Sequence, residues 1–323
     1  MSAALRWLWK SAPWALTAVL VVLLARQARS RDWALVAAAL KAISLASLAA
    51  AAALAVASHA LFSTYDLISR AIVRHRLGRL RTAWVGAVCY AFNLSFGALV
   101  GGMAMRLRLY TRLGLPAATA GQVIALSMLT NWLGYGLLTG LVLLVWPPTL
   151  PAAWPVSVTV LQVCGVAMTL TALAYLLACG FARQRSYRFR GHLLALPSGR
   201  MASLQAATSS LNWLLMAALI WTLLGGRADY GGVVASLLLA AIAGVLTHVP
   251  AGLGVLEAVF IATLKSEVPQ AQLLAALLAY RAVYYLLPLT WAVPGYLLME
   301  MGTRSAGATG QAVADRSNAL KPG

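Results

Sequence analysis

Residues 247–260 read Thr247-His248-Val249-Pro250-Ala251-Gly252-Leu253-Gly254-Val255-Leu256-Glu257-Ala258-Val259-Phe260. They sit inside a long apolar run from Gly231 to Leu264. Within it a proline, two glycines, a histidine and a carboxylate stand where a membrane helix would want none of them. Proline removes a backbone donor and breaks the helix. A Gly-x-Gly pair loosens what remains. A carboxylate at membrane depth costs about 2.5–3.5 kcal/mol even on the lenient insertion scale. Broken backbone at that depth persists only where it is buried in protein or lines a wet cavity. The stretch therefore reads as the floor of a polar site inside a membrane protein.

The rest of the chain agrees with that class. Of 323 residues, 62% are hydrophobic and only 10% charged, and apolar runs of membrane-crossing length recur from end to end. This predicts an all-α, polytopic integral membrane protein with no soluble domain. The net charge of +18 raises nucleic acid as a partner. The arginines, however, cluster in short loops between apolar segments, as the positive-inside rule expects, so nucleic acid is set aside. Cys89, Cys164 and Cys179 lie within apolar runs at no metal-ligand spacing, and read as small core hydrophobes. No metal or other cofactor is called for. The basic, apolar N-terminus lacks a small-x-small cleavage pattern and reads as a retained first helix.

Outward from the opening stretch, the expected segments are residues 8–25, 42–62, 82–105, 117–145, 156–182, 204–224, 231–264 and 270–299. A short surface helix is expected within 26–41. The run 82–105 is interrupted by Asn93, Ser95, Gly97, Gly101 and Gly102. The loops at 70–81, 106–112 and 183–200 are all basic, whereas 146–155 carries no charge. If 82–105 crossed the membrane once, the basic loops would fall on opposite sides. If it enters and returns, all three are cytoplasmic and 146–155 is external. The same parity makes 231–264 a hairpin entering from outside. The scheme places Arg26, Arg29, Arg31 and Lys41 outside, against the rule.

The expected architecture is thus about six full transmembrane helices plus two re-entrant hairpins, forming one transmembrane domain over 1–303. Halves at 1–150 and 151–303 would have inverted topology, as in many secondary transporters. Gly114-Leu115-Pro116-Ala117-Ala118 before one helix echoes Glu267-Val268-Pro269-Gln270-Ala271 before another. Aligning those prolines also aligns Gly101 with Gly254. Residues 304–323 are polar, Ala- and Gly-rich, and are expected to be a disordered cytoplasmic tail.

Of seven acidic residues, Glu257 stands deep in an apolar run, and Arg281 is the basic residue deep in a late helix. Opposite charges at membrane depth are expected to pair or share a cavity. Arg281 then either meets an anionic substrate, or forms a static bridge with Glu257. Arg106, Arg108 and Tyr110 end the first hairpin and offer forked donors to a phosphate, or form an ordinary cytoplasmic flank. Asn93, Asn131 and Asn212 either line a polar route or hold helices together. His248 reads as a proton shuttle or a bonded structural residue. Asp66 is expected to cap a helix or pair with the arginines that follow it. The glycines Gly101, Gly102, Gly252 and Gly254, with Pro250, mark the hairpin turns. No nucleophile–base pair appears, so the expectation is a protein that is not an enzyme.

Several of these pieces recur in order. They are Tyr65-Asp66-Leu67, Tyr90-Ala91-Phe92-Asn93-Leu94, Gly101 through Tyr110, Thr130-Asn131-Trp132-Leu133-Gly134-Tyr135, Asn212-Trp213, Pro250 through Phe260, and Tyr280-Arg281-Ala282-Val283-Tyr284-Tyr285. Together, over residues 60–300, they resemble the lysylphosphatidylglycerol synthase transmembrane family, in its free-standing form. The resemblance implies a bacterial inner-membrane protein that translocates lipid rather than making it, since the family's separate synthetic domain has no counterpart here. Phosphatidylglycerol, its aminoacyl form and cardiolipin are the candidate lipids. The head group would enter near Arg106, Arg108, Glu257 and Arg281. A non-transporting partner of a lipid-synthesis enzyme and a membrane-embedded lipid-modifying enzyme stay open as alternatives, as does a homodimer.

Overall fold

The structure is a computed structural model that describes residues 33–148, 150, 157–182, 186–189, 192–247 and 252–301. The helices are α1 (Trp33–Lys41), α2 (Leu45–Val73), α3 (Arg79–Phe96), α4 (Met105–Arg112), α5 (Ala117–Val145) and α6 (Val158–Phe181). Then follow α7 (Gly199–Leu223), α8 (Tyr230–Thr247), α9 (Val255–Leu264) and α10 (Gln270–Met301). The protein is all-α in class. Its basic loop at 183–200 adds only a small antiparallel hairpin of β1 (Ser186–Phe189) and β2 (His192–Ala195).

Local sequence sets the helix ends. Ser44 starts α2 by accepting the Ser47 N–H at 3.0 Å, and Ser157 and Ser198 do the same for α6 and α7. Pro116 and Pro269 immediately precede α5 and α10 in nearly identical extended conformations (ψ 141° and 139°). The echo between those two sequence stretches thus has a counterpart in backbone geometry.

Six helices among the described residues are long and apolar enough to cross a bilayer. Five of them, α2, α5, α6, α7 and α10, match expected full crossings. The sixth expected crossing, residues 8–25, lies outside the described residues, as does the tail at 304–323. The remaining long apolar helix is α8, the first arm of the second hairpin. Both α2 and α5 have 29 residues, or ~43 Å, against a hydrocarbon core of ~30 Å. Only ten residues form α9, about 15 Å, half of a crossing.

The chain reverses within both interrupted runs. Helix α3 ends at Gly97, and a π-helical segment, Ala98–Ala104, packs back along it before α4 begins. A Cβ on Gly101 would land on the Phe92 carbonyl and the Asn93 nitrogen, so the return is this close only because residue 101 has no side chain. In the second reversal α9 runs antiparallel to α8: Ser236 Oγ meets Thr263 Oγ1 at 2.7 Å, and Gly244 lies against Gly252. Gly254 opens α9 at φ 78°, a left-handed conformation that favours glycine. His248 and Pro250, the expected shuttle and helix breaker, lie outside the described residues.

Helix α2 is the central post, packed against α3, α5 and α7, while α5 also packs on α6 and α7. One core joins α2, α7, α8, α9 and α10, with Tyr65, Ile220, Leu238, Phe260 and Tyr280 fully buried. A second lies under the first hairpin, where Val85, Val88 and Phe92 meet Leu109, Tyr110 and Val123. Helix α6 is peripheral and leaves most of its apolar face exposed, as a lipid-facing helix does. On it Cys164 is exposed, unlike the buried Cys89 and Cys179, so it is not the core hydrophobe expected. Position 164 simply falls on the outward side of α6.

Gly101→Val tests the first reversal. Overpacking against backbone costs about 1–3 kcal/mol, so the thermal midpoint in detergent is expected to drop. An unchanged midpoint would mean that the hairpin returns elsewhere.

Candidate functional site: a cavity between the two hairpins

The two reversals face one another across a cavity of about 360 Å³, within the usual size range of small-ligand pockets. Ala98, Gly102 and Met103 line it from the first hairpin, and Gly244, Val245, Gly252 and Leu256 from the second. Helices α2, α3, α5, α7 and α10 close the walls. The polar lining is Tyr90, Asn93, Arg106, Ser127, Asn131 and Asn212. Phe62, Trp132, Trp213, Tyr280 and Tyr285 supply aromatic surface. Five lining residues, Ala98, Met103, Met128, Trp132 and Val245, are also exposed at the protein surface, so the mouth is apolar. Met128 and Trp132 flank the middle of the 29-residue α5.

Behind the wall a chain of hydroxyls joins four helices. Ser58 Oγ donates to Asn212 Oδ1 at 2.7 Å and sits 2.6 Å from Tyr284 Oη, which is 2.7 Å from Tyr90 Oη. A serine hydroxyl has one proton. Since it goes to Asn212, Tyr284 must donate to Ser58 and Tyr90 to Tyr284. Tyr284 reaches this chain from a second π-helical segment, Ala282–Leu286, within α10. Such segments are frequent at functional sites. Phe62 stacks on Tyr90 at 3.5 Å between ring centroids.

Two ion pairs flank the cavity. Arg281 donates from Nε to Glu257 Oε1 (2.8 Å) and from Nη2 to Oε2 (3.3 Å) and to the Gly252 carbonyl (3.0 Å). The expected partnership of Glu257 and Arg281 is therefore direct contact. Arg281 also lies over the Tyr285 ring, at 5.6 Å. The second pair is one that sequence reasoning missed. Arg106, 3% exposed, places Nη1 3.4 Å from Asp66 Oδ1 and donates to Ser127 Oγ at 3.1 Å. Tyr110 donates to Asp66 Oδ2 at 2.7 Å. Asp66 thus does not pair with the arginines that follow it, and Glu257 is not alone in being buried at depth. The cause is that α2 continues to Val73, well past the expected end at Phe62, and carries Asp66 into the core. A signal was present: His59, Phe62, Asp66 and Ser69 repeat at helical spacing, and all four are buried.

The remaining candidates divide. Asn93 and Asn131 line the cavity beside Asn212, with Gly102 and Gly252 from the turns. Gly101 is buried against α3, and Gly254 caps α9. Arg108 and Tyr110 are not among the lining residues: Tyr110 holds Asp66, while Arg108 and Arg112 grip Glu300 at 2.6 and 3.0 Å. Helical spacing turns position 108 away from position 106. No group of three or more metal-ligating side chains occurs among the described residues.

A helical bundle with buried ion pairs, a mid-helix cavity and six apolar helices defines a multi-pass membrane protein. The chain belongs to the family described as the lysylphosphatidylglycerol synthase TM region, whose model matches residues 13–292. It is 41% identical over 300 residues to the inner membrane protein YbhN of Escherichia coli K12, covering 93% of this chain and 94% of that protein. It is also 31% identical over 295 residues to an uncharacterized protein, slr0712, of Synechocystis, covering 87% and 89%. The location is accordingly the inner membrane.

Asp66→Asn leaves Arg106 buried without a counter-charge. Breaking one side of a buried pair costs about 3–5 kcal/mol, whereas removing both charges is often nearly neutral. Thermal unfolding in detergent should show Asp66→Asn less stable than Asp66→Asn/Arg106→Met. The reverse order would mean that the pair carries no coupling.

Proposed function

We propose that the protein moves a glycerophospholipid between leaflets, with the head group in the cavity and the acyl chains left in the bilayer. The observation that carries this reading is the contrast between a polar interior and an apolar mouth opening halfway along a membrane-crossing helix. A soluble solute gains nothing from a mouth rimmed by Met103, Met128, Trp132 and Val245. An amphiphile satisfies both surfaces at once. The lining residues also hold three donors without hydrogen-bond partners, Arg106 Nε, Trp213 Nε1 and Tyr280 Oη. Unpaired buried donors cost about 1–3 kcal/mol each, and a ligand rich in acceptor oxygens relieves that cost. Phosphatidylglycerol, its aminoacyl form and cardiolipin all bring a phosphodiester.

In this reading both reversals are re-entrant, the first dipping from the cytoplasm and the second from outside. Their turns replace the bilayer interior with polar protein surface at the depth where a head group meets its highest barrier. The hydroxyl chain from Tyr90 to Asn212 holds the wall in one arrangement. No bond is made or broken, so the protein acts as a transporter and not as an enzyme.

Proteoliposomes carrying head-group-labelled phosphatidylglycerol are expected to show protein-dependent movement of label between leaflets. Blocking the mouth with Val245→Trp is expected to slow it at least tenfold. Movement no faster than in protein-free vesicles, with each candidate lipid tried in turn, would defeat the reading.

The topology is checked separately. In a variant without native cysteines, Arg79→Cys and Arg112→Cys are expected to react from the cytoplasmic side and Trp146→Cys from outside. Labelling of position 112 from outside would remove the first re-entrant hairpin.

A further inference from the structure

The two arginine–carboxylate pairs look alike in sequence and differ in how their donors are used. Arg281 is held by at least three contacts, two to Glu257 and one to the Gly252 carbonyl, with a ring beneath it. These contacts tie the second turn to α10. Its neighbours Tyr280 and Tyr285, and not Arg281 itself, line the cavity. Arg106 is buried more deeply and held less firmly. It lines the cavity, its Nε has no hydrogen-bond partner, and Ser127 takes one Nη1 proton. Its approach to Asp66 is a 3.4 Å charge contact, and Asp66 Oδ1 accepts no hydrogen bond.

Building on the lipid reading above, we infer that Arg106 alone binds the phosphodiester of the ligand, that Asp66 is a built-in competitor displaced from it, and that the Glu257–Arg281 pair is a clamp that positions the second hairpin. An arginine offers five N–H donors in a fixed fork suited to two oxygens of one phosphate. Arg106 has donors to give and Arg281 has its fork occupied. When an anion takes Arg106, Asp66 keeps the Tyr110 hydroxyl at 2.7 Å, so its carboxylate is not stranded. Before the anion arrives, Asp66 balances the Arg106 charge in an interior where an uncompensated cation is costly. Asp66 stays in the core, so a bound phosphodiester takes the local charge from zero to minus one, and repulsion from Asp66 offsets part of the attraction to Arg106. That competition keeps the anion from being held too tightly, as release to the opposite leaflet requires. One arginine implies one phosphodiester held at a time.

Two matched neutral variants separate these roles: Asp66→Asn/Arg106→Gln and Glu257→Gln/Arg281→Gln. Each removes one positive and one negative charge, so neither leaves a buried ion alone. The probe is dihexanoyl-phosphatidylglycerol, with dihexanoylglycerol as the phosphate-free control, titrated calorimetrically into purified protein in detergent. The unaltered protein is expected to prefer the phosphate-bearing probe. The Asp66/Arg106 variant is expected to lose that preference, with affinity at least tenfold weaker. The Glu257/Arg281 variant is expected to bind within threefold of the parent, with a lower thermal midpoint. Asp66→Asn, assayed below its melting temperature, is expected to bind the probe more tightly than the parent, because the competitor is gone. Unchanged binding by the Asp66/Arg106 variant overturns this assignment and leaves the lipid reading standing. So does a tenfold loss in a folded Glu257/Arg281 variant. Equal affinity of the parent for the two probes overturns the lipid-phosphate reading and this assignment together.

Discussion

Inside a bilayer no solvent rescues a charge or an open helix end, and this constraint organises the molecule. The chain breaks two of its apolar runs and sets two carboxylates against two arginines beside its cavity. Each liability is met by another part of the protein rather than by water. The Arg281 guanidinium covers both Glu257 and the Gly252 carbonyl left open beside the turn. The first turn closes on α3 because Gly101 allows backbone against backbone. Broken helices need cover, and placing two of them face to face lets one polar cavity serve both.

That economy also explains the shape of the cavity. Its lining comes from eight helices and its two hairpin sides from segments far apart in sequence. The hydroxyl chain through Ser58, Tyr90, Asn212 and Tyr284 crosses α2, α3, α7 and α10, which carry all of the aromatic lining except Trp132. Polar contacts between membrane helices are each worth only about 1 kcal/mol. A directional chain of three fixes the relative positions of α2, α3, α7 and α10 more firmly than isolated contacts would. The apolar mouth lies where this frame is open, between the first hairpin, α5 and α8.

The two ion pairs show how similar residues acquire different work. Glu257 and Arg281 are 24 positions apart and meet with their hydrogen-bonding groups matched. Asp66 and Arg106 come from helices that a hairpin brings together, and they meet at 3.4 Å with a tyrosine taking part of the carboxylate. The first geometry favours rigidity. The second leaves a buried cation with unused donors facing a ligand-sized space, and on this contrast we propose a binding role for one pair and a bracing role for the other.

The class of protein and the places where its helices break were legible in the sequence. Apolar length and glycine pairs are local properties, and in lipid they fix where a helix can run and where it can break. The contact between Glu257 and Arg281 was legible for the same reason: two opposite charges in lipid have few alternatives to each other. The partner of Asp66 was not. Its helix runs eleven residues beyond Phe62, and only the return of the first hairpin decides which arginine meets it. The division between Arg106 on the cavity and Arg108 on the Glu300 side was equally hidden, because the helical rotation that separates them is set by how α4 docks. Sequence by itself determined that polar groups lie at membrane depth. Tertiary structure decided which of them are saturated and which remain free to bind, because hydrogen-bond saturation depends on distances of a few tenths of an ångström between segments far apart in the chain.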